Sequence, residues 1–517
     1  MKRNNLTTAV LASIAGIAGI AGSAQAVNVN PDGLGQVLIY PFYTTNNGNQ
    51  TLLSVVNTTD ASKAVKVRFL ESLNSREVLD FNLYMTAYDV WTAAIFDNAG
   101  TPTMITADSS CTVPYFYGIG AGLGVQPFLN FAYSGSRADA DPARESISRA
   151  TEGHFEIIEM GEMHDADFGS ASAVTHIQPG LGPNQQEPAD CQQLVDAWTI
   201  NHADDYWLED AAYDITVATG GLFGGAAIVN AQKGTMYSYD AKAINGFWSP
   251  AIPSGLRHTD PGTEVPSLIS GDNPNALIFS DNGSLVSLTY GYSSIEAVSA
   301  MFMHDSIMNE YAIVDVLAAQ SEWVVTFPTK RFYVDGVFAT WGPTPAPIVP
   351  FTQALQTDAT ACEDFTIDFY DREEGTPQDA PPGTIPPGVS PRPEVPPPPG
   401  EVLFNLCAET NVIRFDEMEA EVPASPIVGT DGFDSLVTFS LPAGYDAGWA
   451  KIDMVTNRDD AGDPAPDRED TQGLLGLPVV GYWFEAFTNG TLQGGTVLAN
   501  YGGVFEHKGT RAQVIIQ

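Results

Sequence analysis

A chain of 517 residues with 22 Lys plus Arg against 63 Asp plus Glu has a formal charge of −41, a field that repels phosphate backbones and anionic lipid and so excludes nucleic-acid and polybasic membrane partners. The length allows roughly two to four domains of ~100 to 200 residues, each able to bury its own core. The acidity itself reads first as solubility, with dedicated cation binding as the lesser reading.

Residues 1–26 combine Lys2 and Arg3 with an apolar stretch and close on Ala24-Gln25-Ala26, the pattern of a cleavable signal peptide. Sec-type export is expected, with the chain from Val27 secreted or held at the cell surface and the periplasm as the alternative. The nearest later approach to ~18 uninterrupted apolar residues is 215–229, which is broken by glycines, so no transmembrane segment is expected. The mature N-terminus reads as strands at 36–43, 51–56, 64–70 and 78–83, rich in β-branched and aromatic residues between turn-forming clusters. In Val65-Lys66-Val67-Arg68-Phe69 the cations alternate with apolar residues, which predicts a half-buried antiparallel strand with its cations in water.

From about 101 to 262 the pattern is mixed and reads as an α/β insertion. It includes a strand over 151–160, a short helix over 191–200 begun by Asp190, and a glycine-rich turn at 220–225. Residues 294–303 and 311–320 read as helical, 322–327 and 331–334 as β-like. The proline-rich stretch 376–401 cannot form helix or central strand and is expected as an exposed loop. A short internal echo relates Phe81-Asn82-Leu83 with Tyr88 to Trp91 to Phe439-Ser440-Leu441 with Tyr445 to Trp449. The fold expected is therefore mainly β, with two immunoglobulin-like or jelly-roll β-sandwich domains, 27–345 carrying the insertion and 346–517 carrying the proline-rich loop.

Four cysteines in an exported chain should pair. Of three connectivities, Cys111 with Cys191 and Cys362 with Cys407 keeps each bridge inside one expected domain.

No G-x-S-x-G, H-E-x-x-H, Walker or dinucleotide motif occurs, and a non-enzymatic role is expected. The densest chemical cluster is Glu152, His154, Glu156 and His164. Period-two geometry would place the first three on one strand face, where imidazole and carboxylates can hold zinc or a similar cation. The competing reading is a solvated strand face, favoured because structural zinc sites carry Cys or paired His at tighter spacing. Calcium is a second metal candidate, at Asp139 with Asp141, at Asp204-Asp205, and at Asp459-Asp460 with Asp463, Asp467, Glu469 and Asp470, although none matches the EF-hand loop. His304-Asp305 reads as a helix-terminal pair. Eight tryptophans, Trp91, Trp198, Trp207, Trp248, Trp323, Trp341, Trp449 and Trp483, are expected mostly in cores, an exposed row stacking on sugars being the minority reading.

The stretches 35–41, Asp80-Phe81-Asn82-Leu83, Asp89-Val90-Trp91, 220–224, Asn309-Glu310-Tyr311 and 323–330 resemble a group of exported proteobacterial cell-surface proteins. That resemblance implies a surface location and assigns no functional residue. Together these readings predict a structural, assembling or adhesive surface protein whose partners are further copies of itself or surface glycans. A secreted polysaccharide-binding or polysaccharide-active protein is the alternative, and a metal-dependent hydrolase centred on His154 and His164 the weaker one.

Overall fold

Antiparallel sheets dominate the computed structural model, which describes residues 26–513 except 120–121, 136–143, 178–186, 250–256, 282, 374–403, 418–423, 432–434, 443, 456–468, 493–494 and 496. The signal peptide (but for Ala26), the proline-rich loop, Asp139, Asp141, Asp459, Asp460, Asp463 and Asp467 lie outside the described residues.

A seven-stranded sheet runs in the order Asn28–Val29, Lys242–Asn245, Val37–Thr44, Glu152–Met163, Ser62–Glu71, Glu77–Met85, Cys111–Val113. A six-stranded sheet, in the order Thr235–Asp240, Leu222–Asn230, Gln50–Asn57, Val90–Asn98, Thr101–Thr106, Gly124–Pro127, packs against it. Between them lie Tyr40, Val67, Phe69 and Phe155 from the first and Val55, Trp91, Ile95 and Ile228 from the second, all fully buried. These are the period-two positions of their strands, so sandwich packing follows directly from the apolar alternation.

A second pair of sheets follows. One has the order Phe404–Leu406, Glu363–Asp371, Ala447–Asp453, Ser306–Ala312, Lys508–Thr510. The other has the order Leu436–Leu441, Thr410–Glu417, Ala319–Thr326, Val480–Leu492, Val497–Glu506, with its first two strands parallel. Trp323, Ile413, Phe415, Ala450 and Ile452 fill the space between them.

Several expectations change here. Residues 311–320 form no helix: Ser306–Ala312 pairs with Ala447–Asp453, and after one 3-10 turn Ala319–Thr326 pairs with both Thr410–Glu417 and Val480–Leu492. Cross-strand pairing overrides the helix-forming Ala312 and Ala319, while Leu317 ends the 3-10 turn and Ala318 caps it in the left-handed region. Arg331–Val334 is a single helical turn, not a strand. The sequence division falls at 345/346, whereas the strands at 306–312 and 319–326, on its N-terminal side, bond to strands beyond it. The stretch read as an insertion at about 101–262 supplies the centrally placed Glu152–Met163 strand and four strands of the six-stranded sheet. The helix Cys191–Ala197 starts as predicted, Asp190 accepting from the Gln193 main-chain N–H at 3.2 Å, and Ser294–Ala300 is capped by Ser293 and Glu296.

Both disulfides pair as expected, Cys111 with Cys191 across 80 residues and Cys362 with Cys407 across 45. The first ties the edge strand Cys111–Val113 to a helical cap whose core includes Leu194, Tyr206 and Trp207. The Cys111→Ala/Cys191→Ala variant is expected to lose about 2–4 kcal/mol, read by chemical denaturation, and limited proteolysis should cut first within residues 164–217.

Candidate functional site

The second face of the seven-stranded sheet is also covered, by the helical cap, by described residues of 245–249, 257–281 and 283–300, and by the segment leading out of the Ala319–Thr326 strand. This decides the fate of the chemical cluster read from sequence. Glu152, His154 and Glu156 do share one face, opposite Phe155 and Ile157 in the sandwich core, but that face is buried and not solvated.

Each of the three has a structural partner. Glu152 accepts from the hydroxyls of Thr430 at 2.6 Å and Ser435 at 3.1 Å and from the Asn46 amide at 3.2 Å, so it fastens residues 425–435 of the second sandwich to the first. Burial pushes its carboxyl up to about 7. His154 meets the Thr410 hydroxyl through Nδ1 at 3.4 Å, its Nε2 has no hydrogen-bond partner, and burial drives its imidazole down to about 3. Glu156 is ion-paired to Arg68, which also donates to Glu77 at 2.8 Å. His164 lies apart, bonded to the Thr216 hydroxyl at 2.7 Å. Among the described residues no three His, Cys, Asp or Glu side chains are grouped to hold a metal ion.

The cations of the 62–71 strand correct the half-buried expectation in the same way. Lys66 and Arg68 lie under the covering segments, Lys66 paired with Asp80 and donating to the Pro261 carbonyl at 3.0 Å. Lys63 sits at the end of the sandwich, 2.6 Å from Glu159, which also accepts from the main-chain N–H groups of Thr219 and Gly220. Glu71 receives Arg149 and the N–H groups of Leu73, Asn74 and Arg76. Burial would raise its carboxyl, but Arg149 and these amides hold it below the usual value. Buried charges persist when each is paired and bonded in this manner.

Of the described calcium candidates, Asp204 is exposed, while Asp470 accepts from the Tyr290 hydroxyl at 2.7 Å and from two main-chain N–H groups of its own turn. His304 ends a short strand instead of a helix, and Asp305 accepts from the Thr510 hydroxyl at 3.0 Å. Among the eight tryptophans only Trp449 is more than one-third exposed, and it stacks on Tyr370 with ring centres 4.4 Å apart.

The surface that stands out lies on the outside of the six-stranded sheet. Register places Ser238, Ala227, Leu52, Ala94, Ile105 and Val125 in one row across all six strands, with Met236, Val229 and Gln50 in the next but one on the first three. Leu52 is 41 % exposed, Val90 47 %, Val125 51 %, Phe223 43 % and Met236 58 %. The six strands contain only two charged residues, Asp97 and Asp240, both near strand ends. A shallow trough of about 590 Å³ crosses this face. The sequence carries this signal, since the six strands are nearly free of charge at both parities, unlike a strand with one solvated face.

No protein-family model, curated protein or solved structure matches this chain.

Proposed function

We propose that this chain is a non-enzymatic exported protein of the cell surface or extracellular matrix that works by self-assembly, with the outer face of the six-stranded sheet as its contact surface. The observation that carries the reading is a mainly apolar sheet face, whose one strand carboxylate is Asp240 at the end of the edge strand, in a chain of net charge −41. Contiguous exposed apolar patches mark interaction sites. A second copy is the occupant that fits: the same apolar face meets itself about a two-fold axis with Asp240 left at the rim, while the remaining acidic surface repels other approaches.

Five inter-strand spacings of ~4.8 Å and about six residues at ~3.3 Å give a flat area of roughly 500 Å². That is below the ~800 Å² per partner of a standard stable interface. Single contacts are therefore weak, and assembly depends on concentration. The disulfides suit an oxidising compartment, and the resemblance to exported proteobacterial surface proteins points the same way. No described helix is long and apolar enough to cross a membrane.

Fractionation of the native organism, followed by immunolabelled electron microscopy, tests the role. Wild-type protein is expected in assemblies on washed cells, and a Leu52→Glu/Met236→Glu variant is expected in the medium. Wild-type protein found only as soluble periplasmic material would overturn it.

A second reading, glycan binding, has one specific observation behind it, the exposed Trp449 stacked on Tyr370 beside Glu310 in the neighbouring strand. Retention on a polysaccharide column that disappears in Trp449→Ala supports it, and equal retention of both proteins removes it.

A further inference from the structure

A cavity of about 270 Å³ lies where Val29 and Lys242 of the seven-stranded sheet meet residues 301–307, 479–481 and 506–511 of the second pair of sheets. Its walls are chiefly apolar, including Phe302, Ile307 and Val479, yet Lys242 and Arg511 both line it. Lys242 is ion-paired with Glu506. Among the described residues no carboxylate is bonded to the Arg511 guanidinium, although the charge of Asp281 acts on it. Its Nε, Nη1 and Nη2 donate to the main-chain carbonyls of Met303 at 3.0 Å, Phe279 at 3.2 Å and Met301 at 2.6 Å. Those three bonds use three of the five N–H donors of a guanidinium and leave two. The nearby Asp281 is exposed and takes the Arg511 main-chain N–H at 2.6 Å, not the guanidinium.

The two histidines of the wall add no charge. His507 bonds the Val324 carbonyl through Nε2 at 3.0 Å and the Asn309 amide through Nδ1 at 3.2 Å, which assigns its proton to Nε2. His304 bonds the Thr510 carbonyl through Nδ1 at 3.3 Å. The cavity wall thus carries two cations against one carboxylate inside a chain of charge −41. An apolar pocket with one convergent polar end suits an amphipathic ligand, and a guanidinium with free donors selects a carboxylate head. At ~30 Å³ per water-sized group the volume accommodates roughly nine such groups, about the size of an eight-carbon acid.

We infer that this cavity binds a small amphipathic carboxylate, its apolar chain against Phe302, Ile307 and Val479 and its head group at Arg511. The site is separate from the six-stranded sheet face and stands or falls independently of it.

Isothermal titration of the signal-free chain with octanoate tests the inference, with octan-1-amine and octan-1-ol as comparators and Val29→Trp as a variant that fills the cavity from a half-buried edge position. Octanoate is expected to bind at one saturable site at least tenfold more tightly than the amine or the alcohol, and at least tenfold more weakly to Val29→Trp. Leu52→Glu/Met236→Glu is expected to bind it as wild type does. Absence of saturable octanoate binding, equal binding of the amine, or unchanged binding by a Val29→Trp protein with wild-type circular dichroism would overturn the site.

Discussion

Arg68→Met is expected to destabilise the protein by about 3–5 kcal/mol, the cost of breaking a buried ion cluster by removing one partner. Arg68 is 2 % exposed and serves two carboxylates, Glu156 and Glu77. Methionine fills similar space but takes the paired guanidinium from the buried Glu156 and the partly buried Glu77, leaving only the more distant Arg331 and Lys66. Burial already pushes both carboxyls up against the pull of Arg68, Glu77 to about 7, and removing Arg68 raises both further. The loss should therefore shrink as pH falls toward about 5, where protonated acids tolerate burial. A triple variant, Arg68→Met/Glu77→Leu/Glu156→Leu, should regain much of the loss, because an apolar replacement of a whole buried cluster is often neutral. Urea denaturation of the three proteins at two pH values checks this. A single variant as stable as wild type at neutral pH would show that the cluster is hydrated.

Stability is expected to be greatest between about pH 4.5 and 6.5 and to fall on both sides, for two opposing sets of groups. Burial lowers His154 and His304 to about 3 and His258 and His507 to about 4. The unfolded chain, with histidines near ~6.5, then binds more protons than the folded one, so their contribution is present above that value and is lost as pH falls through the folded values. Burial raises Glu152 and Glu77 to about 7, Glu409 to about 8 and Asp470 to about 6, four acids against the four histidines. There the folded state holds the extra protons, and the contribution is present at acid pH and is lost as pH rises through about 6 to 8. Over the shared window the two sets offset each other. Below it the histidines dominate, their loss from about pH 4.5 to 3 being on the order of 5 kcal/mol, and Glu71, held below its usual value, adds to that loss. His154→Leu, which removes a buried nitrogen without a partner, should flatten the acid limb. Melting temperatures across pH 3 to 9 report both limbs, and a monotonic rise toward alkaline pH would contradict the assignment.

Much of the scaffold was legible because local chemistry and tertiary packing agree. The early strands, the Asp190 cap and both disulfides follow from alternation, a capping side chain and domain-wise pairing. Where they conflict, the reading failed. Lys66 and Arg68 look solvent-facing in an alternating strand, but the sheet that carries them is covered on both sides, and nothing within the strand reports a layer supplied by residues two hundred positions later. Glu152 and His154 imitate a ligand set for the same reason: their partners Thr430, Ser435 and Thr410 are far along the chain. The internal echo has a partial counterpart, since Glu77–Met85 and Val90–Asn98 lie in opposite sheets, as do Leu436–Leu441 and Ala447–Asp453. Trp91, however, faces a core, and Trp449 faces outward.

The most direct test of assembly through the six-stranded sheet is sedimentation velocity of the signal-free chain over a concentration series, at low and at high salt. Screening of the −41 charge, with a Debye length of ~10 Å at 0.1 M, should strengthen self-association, and the Leu52→Glu/Met236→Glu variant should remain a monomer throughout. A wild-type protein that sediments as a single monomer at every concentration and salt would contradict assembly through this face.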